Sequence, residues 1–107
     1  MKKYHKLVRD KIPEIIKADG EVPVYRILND EEFRKELLIK VVEEAKELSA
    51  TGSKGEEMIK EVGDVEEVIE SIIKSFNLNK KKIKELKLKR KEGRGGFDKK
   101  IFLEAAK

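Results

Sequence analysis

Two stretches of the chain repeat apolar residues at helical spacing, and together they predict its architecture. In residues 30–50, Phe33, Leu37, Leu38, Val41, Val42, Ala45 and Leu48 fall within an arc of about 180° on a helix turning about 100° per residue. In residues 54–76, Met58, Ile59, Val62, Val65, Val68, Ile69, Ile72, Ile73 and Phe76 fill an arc of the same width, about 180°. Asn29-x-x-Glu32 has the spacing of a capping box and opens the first helix. Thr51-Gly52 breaks it, and Ser53-x-x-Glu56 caps the second, which ends near Asn77. A link this short forces the two into an antiparallel hairpin. A short helix is expected from a cap at Asp10 through Lys17, with Pro13 in its first turn and Gly20 at its end. A fourth, strongly basic helix starts at Asn79 and ends at Gly93. Residues 22–28 read as a short strand or extended arm, and 101–103 as an apolar tail that must dock.

The expected fold is therefore all-α. An antiparallel helical hairpin assembles into a four-helix-bundle core, flanked by short extended N- and C-terminal segments. Arcs this broad exceed what one antiparallel partner and two short segments can cover, so a second copy should supply the other half as a homodimer or higher oligomer.

The polar positions inside those arcs carry the chemistry. With Glu43 at 0°, Glu44 lies at about 100°, between Phe33 and Leu37, and Glu47 at about 40°, just outside the arc. With Glu61 at 0°, the second arc runs from about −20° to about 160°, so Glu61 is inside it and Asp64 lies one turn on at about −60°. Counted from the turn, the two acid pairs stand within about one helical turn of the same height and can face each other. Burying carboxylates is costly unless something positive pairs them, and a divalent cation is the simplest answer. Spacing alone does not decide this, because seventeen of the 22 acids are Glu. Glu67-x-x-Glu70 repeats the spacing but falls at about −120° and about 180°, on the polar face, and should be solvated.

Composition narrows the chemistry. The 107 residues are expected to form one domain, 1–107. The sequence has no apolar run of membrane-spanning length, and the charged residues 1–6 lead into no apolar stretch, so neither a membrane span nor a secretory signal is expected. Without cysteine there are no disulfides or thiolate ligands, which points to the cytoplasm. The lone His5 makes no zinc site and reads as a surface residue, so a bound metal would have oxygen ligands, which suits magnesium or manganese. Charge is uneven: residues 80–100 hold eleven Lys/Arg against three acids, whereas residues 1–79 carry a local −4. An acidic body with a basic end suits a site that holds metal on one side and phosphate on the other; it also suits a nucleic-acid patch.

Glu43-Glu44-x-x-Glu47, thirteen residues, then Glu61-x-x-Asp64 resembles the metal signature of the all-α nucleoside triphosphate pyrophosphohydrolases, the MazG-like superfamily. Residues 6–16, Lys-Leu-Val-Arg-Asp-Lys-Ile-Pro-Glu-Ile-Ile, and the closing Arg94-Gly95-Gly96-Phe97 with 101–104 resemble its small stand-alone phosphoribosyl-ATP pyrophosphohydrolase-like branch. The resemblance implies that Glu44, Glu47, Glu61 and Asp64 bind magnesium, with Glu43 holding a second ion or the attacking water. It implies cleavage of a nucleotide between the α and β phosphates to a monophosphate and pyrophosphate, in a nucleotide house-cleaning role. Phosphate contacts would come from Lys6, Arg9, Lys11, Lys40 and Arg94. Two rivals remain: a non-enzymatic basic helical module that binds nucleic acid, and a silent oligomerisation domain. Nucleic acid is not the expected partner, since such a module has no use for buried acids and aromatics for base stacking are only 6% of the chain. Base and sugar preference are not legible.

Overall fold

Asp30–Ala50 and Gly55–Ser75 form the two long helices that the apolar periodicity requires. The computed structural model describes residues 2–53 and 55–107. Among them there are four helices and no strand: α1 (Ile12–Ala18), α2 (Asp30–Ala50), α3 (Gly55–Ser75) and α4 (Lys80–Arg94). None of the helices is long and apolar enough to cross a membrane. The chain divides into two compact units, one ending at Asn77 and the other spanning Leu78–Lys107.

In the first unit α2 and α3 pack against each other as the expected hairpin. Asn29 accepts the Glu32 amide at 2.9 Å, as the capping spacing requires. Arg26 holds both Glu32 carboxylate oxygens, at 3.2 and 2.8 Å, and so ties the preceding segment to the start of α2. At the far end the Thr51 amide and hydroxyl both donate to the Leu48 carbonyl, and Gly52 turns the chain at φ +63°, where a Cβ would be strained. The cap expected from Ser53 adjoins Lys54, which lies outside the described residues.

Two local expectations are corrected and a third is narrowed. Asp10 does not cap α1: the Ile12 amide donates to the Arg9 carbonyl at 3.1 Å, so a tight turn leads into the helix and Lys11 stands at the N-cap without a side-chain bond. The other end is as expected, with Gly20 at φ +85° and the Gly20 and Glu21 amides donating to Lys17 and Ile16, the paired bonds of a Schellman ending. Of the two readings for residues 22–28, the strand is not formed: the segment is irregular, with neither helix nor strand. Ile101, Phe102 and Leu103 are exposed rather than docked.

The hairpin covers only half of each apolar arc. Leu37 and Val68 are buried, with Phe33, Val41, Leu48, Met58, Val65 and Ile72 half-buried around them. Leu38 and Val42 on α2 and Ile59, Val62 and Ile69 on α3 remain exposed. The covered halves are the ones that contain Glu44 and Glu61.

In the second unit, Asn79 caps α4 by accepting the Lys82 amide at 3.1 Å, and the Gly95 amide closes it on the Lys91 carbonyl. Leu86 and Leu88 are exposed. Among the described residues none of the basic side chains of 80–100 pairs with a carboxylate.

Candidate metal centre

Two buried carboxylates face each other from the two helices. Glu44 on α2 is 8% exposed and Glu61 on α3 is 9% exposed. Each is drawn inward because its position lies within the apolar arc that the hairpin covers. Oxygens of Glu44, Glu61 and Asp64 lie within 4.8 Å of one another, as do oxygens of Glu43, Glu44 and Glu47. Glu44 belongs to both groups, so the five acids form one cluster along the seam. Glu43 and Asp64 are half-buried at its edge, and Glu47 is exposed.

Cations surround the cluster. Lys40 donates to Glu43 at 3.2 Å and lies 3.5 Å from Glu44, with its own side chain only 14% exposed. Lys6 approaches Glu43 at 3.5 Å. Arg9 donates from Nη2 to Asp64 Oδ1 at 2.8 Å, and Lys60 donates to both Glu61 and Asp64 at 3.2 Å. Those hydrogen bonds, to Glu61 first and then Asp64, hold the Lys60 ammonium above its ordinary pKa.

These cations do not satisfy the cluster. Glu44 Oε2 and Glu61 Oε2 are buried and accept no hydrogen bond. An orphaned buried carboxylate oxygen carries a full desolvation cost. Burial, followed by the proximity of the neighbouring Glu47 carboxyl, pushes the Glu44 carboxyl above the ordinary range, while Lys40 pulls it down. The donor set is all oxygen, comes from two helices, and includes two oxygens with nothing else to bind. It fits a hard divalent cation such as magnesium or manganese.

Beside the acids is a pocket of about 300 Å³ whose lining includes Tyr4, Lys6, Ile39, Lys40 and Glu43. It joins an aromatic ring and the apolar Leu7 and Ile39 to two ammonium groups, with Glu36 a second carboxylate in the lining beside Glu43. Of the basic residues singled out in the sequence, Lys6, Arg9 and Lys40 reach the acids. Lys11 is exposed and makes no ion pair among the described residues, and Arg94 is the exposed last residue of α4, in the other unit. Lys60 was not anticipated; its i,i+4 spacing from Asp64 was the available signal. Glu67 and Glu70 are exposed, as their helical positions predict.

No family model and no solved structure matches the chain. A 48-residue stretch is 48% identical to an uncharacterized protein of Mycolicibacterium smegmatis, covering 45% of this chain and 49% of that protein. The match thus spans about half the length of that relative.

Proposed function

We propose that the chain is a magnesium-dependent nucleotide pyrophosphohydrolase of the MazG-like kind, acting in the cytoplasm on unwanted nucleotides. The observation that supports this most is the pair of orphaned buried oxygens, Glu44 Oε2 and Glu61 Oε2, in a cluster of five acids rimmed by Lys and Arg. Neither a nucleic-acid module nor a silent oligomerisation domain needs such a pair.

Glu44, Glu47, Glu61 and Asp64 would hold the ion, with manganese able to replace magnesium. When bound, it would supply positive charge to attract a polyphosphate and would make a water easier to deprotonate. Glu43, at the rim beside the pocket, accepts a proton from the water that attacks the α-phosphorus. The α–β anhydride bond breaks and its electron pair leaves with pyrophosphate. Lys6, Lys40 and Arg9 neutralise the charge that develops there. Tyr4 and Ile39, both in the pocket lining, offer a surface on which a base could rest.

The same reading makes the active form a homodimer or higher oligomer. The uncovered halves of both arcs, Leu38 and Val42 on one helix and Ile59, Val62 and Ile69 on the other, are the surfaces that a second hairpin would cover.

The test is a panel of nucleoside triphosphates assayed with magnesium and with a chelator. Monophosphate and pyrophosphate should form only with metal. Orthophosphate and a diphosphate would assign the wrong bond, and no turnover of any nucleotide would remove the enzymatic reading.

A further inference from the structure

The cations around the acids are of two kinds, and the difference has a consequence for how the site fills. Lys40 is on α2, nearly buried, and holds Glu43 and Glu44 together from within the helix. Arg9 comes from outside the hairpin, on the irregular segment before α1, and its side chain is 60% exposed. With Lys6, Arg9, Lys40 and Lys60 all in place, four positive charges face five carboxylates. A cluster so nearly neutral offers a divalent cation little attraction. Some of these cations must withdraw before metal can bind strongly. Lys60, though more exposed, holds two carboxylates, and Lys6 faces only Glu43. Arg9 is the exposed, singly bonded partner whose departure frees a ligand, Asp64.

We propose that Arg9 is an exchangeable counter-ion: it occupies Asp64 in the metal-free protein, yields that carboxylate when a divalent cation binds, and then takes a phosphate oxygen of the ligand. This rests on the metal-centre reading above and adds an order of events to it. Arg9 bonds Asp64 through Nη2 alone, so the rest of its donor fork is not committed to a carboxylate. A guanidinium freed at the rim presents two parallel donors to phosphate, a geometry that an ammonium such as Lys60 lacks. The same side chain opposes bare metal and favours metal together with phosphate. A charged ligand would therefore complete the site rather than merely enter it.

The test is binding, read separately for Mn²⁺ alone, by electron paramagnetic resonance of the free ion, and for inorganic pyrophosphate in the presence of Mn²⁺, by calorimetry. Arg9→Gln should bind Mn²⁺ about threefold more tightly, the scale of one exposed ion pair. It should bind pyrophosphate about tenfold more weakly, the scale of one charge-assisted contact. Arg9→Lys keeps the charge but not the fork, so its Mn²⁺ affinity should stay near wild type while pyrophosphate binding is weakened. Circular dichroism of both variants should match wild type. A merely structural Arg9 would weaken both ligands when replaced, and that result, or an unchanged Mn²⁺ affinity in Arg9→Gln, overturns the exchange. Wild-type protein that binds no Mn²⁺ overturns the metal centre itself, and the exchange with it.

Discussion

Glu61-x-x-Asp64 and Glu67-x-x-Glu70 are acid pairs of the same spacing on the same helix, less than two turns apart, with opposite fates. Glu61 is buried with an orphaned oxygen, and Asp64 is half-buried in contact with Arg9 and Lys60. Glu67 and Glu70 are exposed and pair with nothing among the described residues. Spacing does not separate them. What differs is the angle at which each pair leaves the helix relative to the face that α2 covers. A carboxylate becomes a candidate ligand here because the apolar residues around it, Val65, Val68 and Ile72, draw its face into the hairpin.

The largest expected effect is on turnover. Glu44→Gln and Glu61→Gln should each lower pyrophosphate release by orders of magnitude with helix content unchanged, since each removes a charge from the buried centre of the cluster. Glu67→Gln and Glu70→Gln should stay near wild type. Equal losses in both sets would mean that the helical face has no bearing on function.

Next in size is the response of stability to metal. A ligand that binds only the folded form at about a hundred times its Kd adds about 2.7 kcal/mol, which in a domain of this size is worth about ten degrees in Tm. Wild type should show this gain on adding magnesium, and Glu61→Gln should show much less of it. Without metal the order reverses: Glu61→Gln should melt above wild type, because an amide is easier to bury than a carboxylate with an unpartnered oxygen. Glu67→Gln should follow wild type in both conditions. A Glu61→Gln protein that is less stable without metal and keeps the full metal gain would place Glu61 with Lys60 as a structural pair.

The comparison also explains what the sequence could and could not reveal. The helical hairpin was legible because two long periodic stretches joined by Thr51-Gly52-Ser53 leave little choice of topology. The ends were harder: Asp10 looks like a cap, but the turn at Arg9–Ile12 supplies the needed bonds from the backbone. The acids were legible from their angle on the wheel. Their counter-ions were legible only in part, because Lys6 and Arg9 reach the cluster through tertiary placement of a segment that has no periodicity. Lys60 lies on the exposed side of α3, where only its i,i+4 spacing from Asp64 signalled a bond; adjacency to Glu61 in sequence does not.

The assembly prediction tests the uncovered half of each arc rather than the acids. Wild type should sediment as a dimer or larger species at micromolar concentration. Val42→Glu with Ile69→Glu, placed on exposed apolar positions of α2 and α3, should shift it toward monomer. Glu67→Lys, on the polar side of α3, should not. A wild-type monomer would mean that no second copy covers these arcs.

The smallest effect is the pH dependence of stability in metal-free buffer, and it separates Glu44 from the exposed acids most cleanly. Burial and then neighbouring Glu47 raise the Glu44 carboxyl above its ordinary range. In the window between the ordinary value and the raised one, the folded chain holds a proton that the unfolded chain has released. Stability must therefore fall as pH rises through that window: the penalty is absent below the ordinary value and fully present above the raised one. Glu32 has the opposite sign, because its hydrogen bonds with Arg26 lower its carboxyl, and the stability it contributes is lost as pH falls. The two slopes oppose each other in wild type, so the informative quantity is the difference between wild type and Glu44→Gln. Urea midpoints measured from about pH 4 to about pH 7 should show that difference widening in favour of Glu44→Gln as pH rises. Glu67→Gln should run parallel to wild type throughout. If Glu44→Gln runs parallel to wild type as well, Glu44 is no more costly to ionise than a surface acid, and the contrast between the covered and exposed faces ends at geometry.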